Sequence, residues 1–126
     1  MADDAIGLMD DLGIERCHII GHSMGGYIAQ ELAINYPDRV GKLVLEATAP
    51  VSSTRNNILL KDLLRRFQKD RSAEKLIRSL SYWLFSPNAF ERKGYIETYI
   101  KMASTYPYFQ TPKRFKGQIE AIKSFN

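Results

Sequence analysis

Histidine and cysteine are scarce in this sequence, which has two histidines and one cysteine among 126 residues. A single cysteine excludes a disulfide within the chain, and Cys17 lies in an apolar stretch where a buried thiol usually acts as a small hydrophobe. No spacing of cysteine, histidine or carboxylate residues matches a metal site. The sequence therefore predicts neither a bound metal nor another cofactor.

Long apolar runs and a secretory leader are lacking as well. No apolar run approaches the roughly 18 residues that a membrane span requires. The first residues, Met1 to Asp4, are acidic and do not show the basic, then apolar, succession of a signal peptide. We therefore expect a soluble, cytoplasmic protein that does not associate with membranes.

Acidic residues are scarce in the second part of the chain. Residues 55–126 contain fifteen basic and six acidic side chains, whereas residues 1–54 contain three basic and eight acidic ones. Such a basic region can dock an acidic carrier protein, and nucleic acid is the less expected partner. The alternative is a set of solvated helix faces, which the sequence favours because the charges interleave with apolar residues at helical spacing.

The stretch from Gly21 to Gly26 reads Gly-His-Ser-Met-Gly-Gly and contains the pattern G-x-S-x-G. It follows an apolar, strand-like run and precedes a helix-like run, so Ser23 is predicted to lie on a sharp turn between the two. We expect bulky side chains at Gly21 and Gly25 to collide with the adjoining chain. The turn would present the Ser23 hydroxyl beside the amino end of the helix, where the Met24 N–H can stabilise an oxyanion.

Hydrophobic periodicity predicts a strand-helix-strand unit around this turn. Residues 2–12 form a short amphipathic helix that ends at Gly13. Residues 14–20 read as a buried parallel strand covered on both faces, residues 24–36 as a helix, and residues 42–47 as a second strand. The two strands should be parallel, with a right-handed crossover.

The remainder of the chain is helical in pattern. Ser86-Pro87 and Thr111-Pro112 each place a hydroxyl before a proline, which is a signal for the start of a helix. We predict an α/β core over residues 1–50 and a cap of four helices over residues 51–126.

The sequence resembles the α/β-hydrolase superfamily, and cofactor-free esterases, enol-lactonases and haloperoxidase-like members are the most similar. The resemblance rests on Gly21–Gly26, Ile28–Ala33, the turn Tyr36–Val40 and the strand Leu43–Leu45. The resemblance extends over about residues 5–50 and is weaker over the helices. It implies a partial α/β-hydrolase fold of two parallel strands with flanking helices, followed by a helical lid. It also implies that Ser23 is the nucleophile and that the Met24 N–H is an oxyanion donor.

A histidine base is missing from the expected position. The resemblance implies the chain order serine, acid, histidine, but both histidines of this sequence, His18 and His22, precede Ser23. A side chain on the preceding strand cannot fold back onto that serine, so neither is a credible base. The length is also about half that of a complete hydrolase. We therefore expect a fragment that is nearly inactive alone, with the histidine and the usual aspartate located beyond it.

Glu46 is the candidate for a catalytic acid within this sequence. It ends the second predicted strand, and some members of the superfamily take their acid from that position. The alternative, which the resemblance favours, is a residue at the rim of the site or against the substrate. Asp10 and Asp11 are poorer candidates because they lie at the opposite end of the sheet.

Two classes of function follow from these features. The first is hydrolysis of a small hydrophobic ester, thioester or lactone by Ser23. The second is a non-catalytic assembly module that pairs through exposed strand edges, either with itself or with a complementing hydrolase half. Four aromatic side chains could line a substrate pocket, but helical spacing favours a role in holding the cap together; these are Tyr82, Trp83, Phe85 and Phe90.

Overall fold

A computed structural model describes residues 1–125 and divides the chain into two compact units. Unit 1 consists of residues 1–52 and the residues from Ile122 onward, and unit 2 consists of residues 53–121. Helices and strands follow in the order α1 (Ala2–Asp11), β1 (Cys17–His22), α2 (Met24–Asn35), a 3-10 turn (Pro37–Arg39), β2 (Val40–Glu46), α3 (Thr54–Asp70), α4 (Ala73–Leu84), α5 (Pro87–Phe90), α6 (Tyr95–Ser104) and α7 (Pro112–Ser124).

The two strands of unit 1 are parallel, as predicted, and their register is shifted once. Cys17 lies opposite Val40 and Ile19 opposite Leu43, with the irregularity between them. The His18 ring occupies this interruption, where its Nδ1 accepts a hydrogen bond of 2.8 Å from the Lys42 N–H. The neutral ring therefore carries its proton on Nε2.

Gly41 makes room for this imidazole. A Cβ at Gly41 would lie 2.5 Å from His18 Nδ1, so the position accepts only glycine without a shift of the ring. His18 thus contributes to strand pairing through its side chain, which the sequence did not indicate.

Helices cover one face of the two-stranded sheet. Ile6 and Met9 of α1 and Leu32 of α2 form a buried cluster with Val40. On the other face Ile20 and Val44, which are register partners, are 73% and 52% exposed. The prediction that β1 is covered on both faces is therefore wrong for the described residues, because α1 and α2 pack on the same side.

Cys17 and Gly13 have the local roles that the sequence predicts for them. Cys17 is half-buried, and its Sγ lies 3.9 Å from the Met9 Sδ, which fits its expected role as a small packing group. Gly13, the residue after the C-cap Leu12 of α1, has a φ of 65°, the left-handed conformation that commonly ends a helix.

Unit 2 is built on buried apolar side chains between helices. One cluster comprises Leu63, Phe67, Leu76, Phe115 and Ile119. A second comprises Ile77, Ile96 and Ile100. The cap predicted with four helices has five in the described residues, because Ser86-Pro87 begins the single-turn helix α5.

Two serines define where the long helices of unit 2 begin. Ser53 Oγ accepts the Asn56 N–H before α3, and Ser72 Oγ accepts the Lys75 N–H before α4. Between them, Arg71 ends α3 with a left-handed φ of 53°. No helix among residues 1–125 combines the length and apolarity needed to cross a bilayer.

Candidate active site

Ser23 alone joins the end of β1 to the start of α2. Its φ of 51° and ψ of −118° are unusual for a residue with a side chain, and such a conformation costs about 1–3 kcal/mol. Backbone hydrogen bonds on both sides hold it in place, because the Ser23 N–H donates to the Glu46 carbonyl and the Gly26 N–H donates to the Ser23 carbonyl, each at 2.9 Å. The predicted sharp turn is present, and Ser23 is exposed.

The turn is tightly packed against its neighbours at Gly21 and Gly26. A Cβ at Gly21 would lie 2.7 Å from both the Ala29 Cβ and the Gly25 carbonyl oxygen. A Cβ at Gly26 would lie 2.5 Å from the Thr48 Cβ. A Cβ at Gly25, in contrast, would meet open space, because beyond the adjoining backbone of α2 no atom of residues 1–125 lies within 4 Å, so the expected collision at Gly25 is wrong. Gly26 is the second crowded position, because α2 turns this residue towards the chain that follows β2.

The amino end of α2 is left open to a ligand. Ser23 occupies the N-cap position, but its side chain makes no capping hydrogen bond, and the first turn holds no acidic residue. The first N–H groups of a helix have no partner inside the helix and carry partial positive charge. Met24 contributes the first of these groups, beside the exposed Ser23. This geometry is suited to binding a developing oxyanion. That the Met24 N–H donates to such an oxyanion remains a prediction.

Glu46 contacts the turn through its backbone. It ends β2 opposite His22, and its carbonyl accepts the Ser23 N–H described above. Its side chain is exposed, and its carboxylate forms no ion pair within residues 1–125. Glu46 therefore lies at the same sheet edge as Ser23, and its role as an acid stays a prediction.

Asp10 lies at the other end of the sheet, as expected. Its carboxylate pairs with Arg39 at 2.6 Å. Arg39 also donates to the carbonyls of Ile14 and Glu15, which precede β1. Asp10 is thus engaged in tying the end of α1 to the 3-10 turn.

Gln30 is a supporting residue that sequence reasoning missed. Its Nε2 donates to the Gly26 carbonyl and to the Ala49 carbonyl, each at 3.1 Å, and so links the first turn of α2 to the segment after β2. That segment contains Ala47, whose φ of 47° is again unusual for a residue with a side chain. No local sequence pattern predicts these hydrogen bonds of Gln30, because one acceptor lies nineteen positions away along the chain.

The four aromatic residues proposed for the cap make their ring contacts within unit 2. Tyr82 stacks on Phe90 with ring centroids 5.3 Å apart, and Phe85 meets Tyr99 edge-on at 4.7 Å. The Arg55 guanidinium lies 4.4 Å from the centre of the Trp83 ring. These contacts agree with the interpretation that the rings hold the helices together.

The described part of the chain contains no group of three or more His, Cys, Asp or Glu side chains that could hold a metal ion. The chemical groups at the carboxyl edge of the strands are the Ser23 hydroxyl, the amino end of α2 and the Glu46 carboxylate.

Comparison with known proteins gives a consistent result. Residues 1–101 match the family described as alpha/beta hydrolase fold. A 2-hydroxy-6-oxononadienedioate/2-hydroxy-6-oxononatrienedioate hydrolase from a Pseudomonas species is 37% identical over 90 residues, which cover 69% of this chain and 32% of that protein. A 2-hydroxy-6-oxo-6-phenylhexa-2,4-dienoate hydrolase from Comamonas testosteroni is 62% identical over 39 residues, which cover 31% of this chain and 14% of that protein.

Solved structures share the fold. A hydrolase from Pseudomonas aeruginosa superimposes with a TM-score of 0.81 at 21% identity, over 99% of this chain and 45% of that one. The chain thus spans less than half the length of the relatives and structures it matches.

Proposed function

Because the chain belongs to the alpha/beta hydrolase fold family, we propose that Ser23 is the nucleophile of a serine-dependent hydrolase. The observation that carries this proposal is the backbone of Ser23, with its φ of 51° at the junction of β1 and α2. A strained, exposed serine between a strand and the amino end of a helix is the arrangement that acyl transfer needs. The substrate is a small hydrophobic ester, thioester or lactone, and residues 51–126 act as the helical lid.

The chemistry would proceed in two acyl-transfer steps. The Ser23 Oγ attacks the substrate carbonyl carbon and gives up its proton to a base, while the Met24 N–H stabilises the oxyanion. The alcohol, thiol or ring oxygen then leaves with a proton returned by the base. Water, activated by the same base, releases the acid from Ser23.

We infer that the base lies outside these 126 residues. His18 accepts the Lys42 N–H and is committed to strand pairing. His22 directly precedes Ser23 on β1, and a strand side chain cannot fold back onto the next residue of the turn. Glu46 is the candidate acid within the chain, since it ends β2 at the same edge as Ser23. An aspartate outside the chain is the alternative.

Labelling with a fluorophosphonate probe tests the proposal. An unactivated serine is a weak nucleophile, so we expect slow labelling of the chain alone and faster labelling when imidazole is added as an external base. Ser23→Ala should abolish the labelling. The matched control is Ser86→Ala, because Ser86 is also an exposed N-cap residue without a side-chain cap but has an ordinary φ of −69°.

Three results would count against the proposal. Labelling that persists in Ser23→Ala contradicts the nucleophile, and equal losses in both variants contradict the special role of the turn. Rapid, stoichiometric labelling of Ser23 without imidazole contradicts a base outside the chain.

The uncovered sheet face favours a second candidate, a non-catalytic assembly module. Each of the two strands has one edge that no strand in residues 1–125 pairs, and Ile20 and Val44 are exposed on the uncovered face of the sheet. Association with a second copy or with a complementing hydrolase half would cover them. Light scattering tests this candidate, since a monomer at high concentration argues against self-pairing. Docking of an acidic carrier protein on the basic second part of the chain stays a prediction.

A further inference from the structure

The segment that follows β2, residues 46–49, runs alongside the first turn of α2. Ser23 and Gln30 each donate a hydrogen bond to a backbone carbonyl of this segment. Thr48 adds a contact of a different kind, because its side chain lies directly against Gly26. All of these residues belong to unit 1.

The contact between Thr48 and Gly26 is close enough to restrict the position of the helix. A Cβ built on Gly26 would lie 2.5 Å from the Thr48 Cβ and 2.6 Å from its Oγ1, and the Cγ2 methyl group would be nearer still. The Cα of Gly26, which is buried, is therefore in van der Waals contact with the Thr48 side chain. Thr48 thus limits how far the first turn of α2 can shift or rotate towards it.

The first turn of α2 needs such a contact because two of its residues are glycines. Glycine loses more backbone freedom in a helix than any other residue, so Gly25 and Gly26 weaken the turn. Gly25 brings no packing of its own, since a Cβ there would meet open space. The Gly26 N–H closes the turn by donating to the Ser23 carbonyl at 2.9 Å, and Met24 lies inside it. The direction of the Met24 N–H therefore depends on how firmly Gly26 is held.

The hydroxyl of Thr48 does not strengthen this contact. Its Oγ1 is buried and has no hydrogen-bond partner among residues 1–125. A buried hydroxyl without a partner costs free energy rather than contributing it. What Thr48 offers Gly26 is therefore the shape of its side chain, chiefly the Cγ2 methyl group.

The backbone that carries Thr48 is itself held in an unusual conformation. Ala47, which precedes it, has a φ of 47°. A residue with a Cβ rarely adopts such a conformation, which persists only where surrounding contacts hold it. The segment is thus fixed in its course past α2 and is not free to follow movements of the helix.

We propose that Thr48 is a positioning residue for the oxyanion site. By packing on Gly26 it holds the first turn of α2, so that the Met24 N–H stays directed at the position where the oxyanion develops beside Ser23. Thr48 acts through Gly26 and not on the reacting atoms. The inference rests on the proposed function for the roles of Ser23 and Met24, whereas the effect of Thr48 on the turn does not depend on it.

Two substitutions at position 48 separate shape from polarity. Thr48→Ser removes the methyl group that contacts Gly26 and keeps the hydroxyl, whereas Thr48→Val keeps the methyl group and removes the hydroxyl. Hydrogen exchange at the Gly26 amide, which donates to Ser23, reports how often the turn opens. We expect exchange roughly fourfold faster in Thr48→Ser, the factor that one buried methyl group commonly contributes, and no faster exchange in Thr48→Val.

Labelling of Ser23 by the fluorophosphonate probe with imidazole reports how well the Met24 N–H is placed. Thr48→Ser should slow the labelling roughly tenfold, a part of the about 10²–10³-fold that loss of an oxyanion donor costs. Thr48→Val should retain the rate of the unmodified protein. Val40→Ala is the control, because Val40 is buried at the opposite end of β2 from the turn. It should lower the free energy of unfolding without slowing the labelling of the folded protein.

Three outcomes would overturn the inference. They are unchanged Gly26 exchange in Thr48→Ser, equal impairment of Thr48→Ser and Thr48→Val, and an equal slowing of labelling in Val40→Ala. Failure of the proposed function is recognised separately, because it would abolish Ser23 labelling in the unmodified protein as well. The Gly26 exchange rates, which need no reaction, would still decide whether Thr48 holds the turn.

Discussion

Unit 1 is held around its turn by backbone groups in close contact, whereas unit 2 is held by side chains packed between helices. At the turn, Gly21 and Gly26 leave almost no space for an added Cβ, and backbone hydrogen bonds hold Ser23. In unit 2, Phe67 is 3% exposed and meets Phe109 and Phe115 edge-on. The difference teaches that the turn of unit 1 is sensitive to added atoms, whereas the buried cluster of unit 2 is sensitive to removed ones.

The largest expected effect is in unit 2. Phe67→Ala should lower the free energy of unfolding by about 3–5 kcal/mol, because it empties the centre of the buried cluster. Urea denaturation followed by the fluorescence of Trp83, which lies in the same unit, measures the loss. The control is Tyr108→Ala, since Tyr108 is 80% exposed. Similar losses in the two variants would contradict a side-chain core at Phe67.

The next effect tests the turn in unit 1. Gly21→Ala should lower the free energy of unfolding by about 1–3 kcal/mol, because the new methyl group meets the Gly25 carbonyl and Gly26 Cα as well as Ala29. Gly25→Ala makes the same chemical change on the other side of the turn, in open space, and should be neutral or stabilise α2 by up to about 1 kcal/mol. Urea denaturation followed by circular dichroism measures both. A cost at Gly25 equal to that at Gly21 would break the comparison.

The site itself could be predicted only where backbone geometry restricts residue identity. A serine between glycines after an apolar strand predicted the turn at Ser23, and Gly13 predicted the end of α1. That Gly26, and not Gly25, is the second crowded position of the turn could not be predicted. It depends on Thr48, which β2 brings alongside α2.

The rest of the fold also divides into features that local sequence predicts and features that it does not. Pro37 marked the end of α2, and Thr111-Pro112 marked the start of α7, where Thr111 Oγ1 accepts the Arg114 N–H. The hydrogen bonds of Gln30 and His18 were missed, because both reach partners on β2 or beyond it. Local rules describe element ends, and only the assembled sheet specifies such contacts.

A smaller effect is expected at Gln30, where a side chain stabilises the turn of unit 1. Gln30→Met keeps the length of the side chain but removes both of its hydrogen bonds. It should lower the free energy of unfolding by about 1–2 kcal/mol. Hydrogen exchange at the amides of residues 47–49 should also become faster. Gln68→Met is the control, since Gln68 is exposed on α3. Unchanged exchange in the Gln30 variant would exclude the bridge.

The smallest effect concerns exposed ion pairs in unit 2. The pKa of Glu97 is lowered chiefly by hydrogen bonds from Arg78, and that of Asp70 chiefly by the Ser72 N–H. A lowered folded pKa stabilises the protein above the ordinary carboxyl pKa, and this contribution is lost as the pH falls below about 4.

The variants Glu97→Gln and Asp70→Asn should therefore flatten the acid limb of a stability curve measured by urea denaturation. Glu91→Gln, at another exposed carboxylate of unit 2, is the control. High salt should reduce the difference between the acid limbs of the Glu97 and Asp70 variants and that of the unmodified protein. An acid limb of the same slope in all variants would show that neither carboxylate is stabilised in the folded state.

The imidazole between the two strands provides a built-in reporter. Because His18 Nδ1 accepts a backbone N–H only when β1 and β2 are in register, a ¹⁵N spectrum of its ring should show the Nε2-protonated tautomer as long as the strands are joined. A mixture of tautomers would signal that they have parted. The ring can thus monitor, without an attached label, whether the platform beneath Ser23 stays assembled in any variant or mixture.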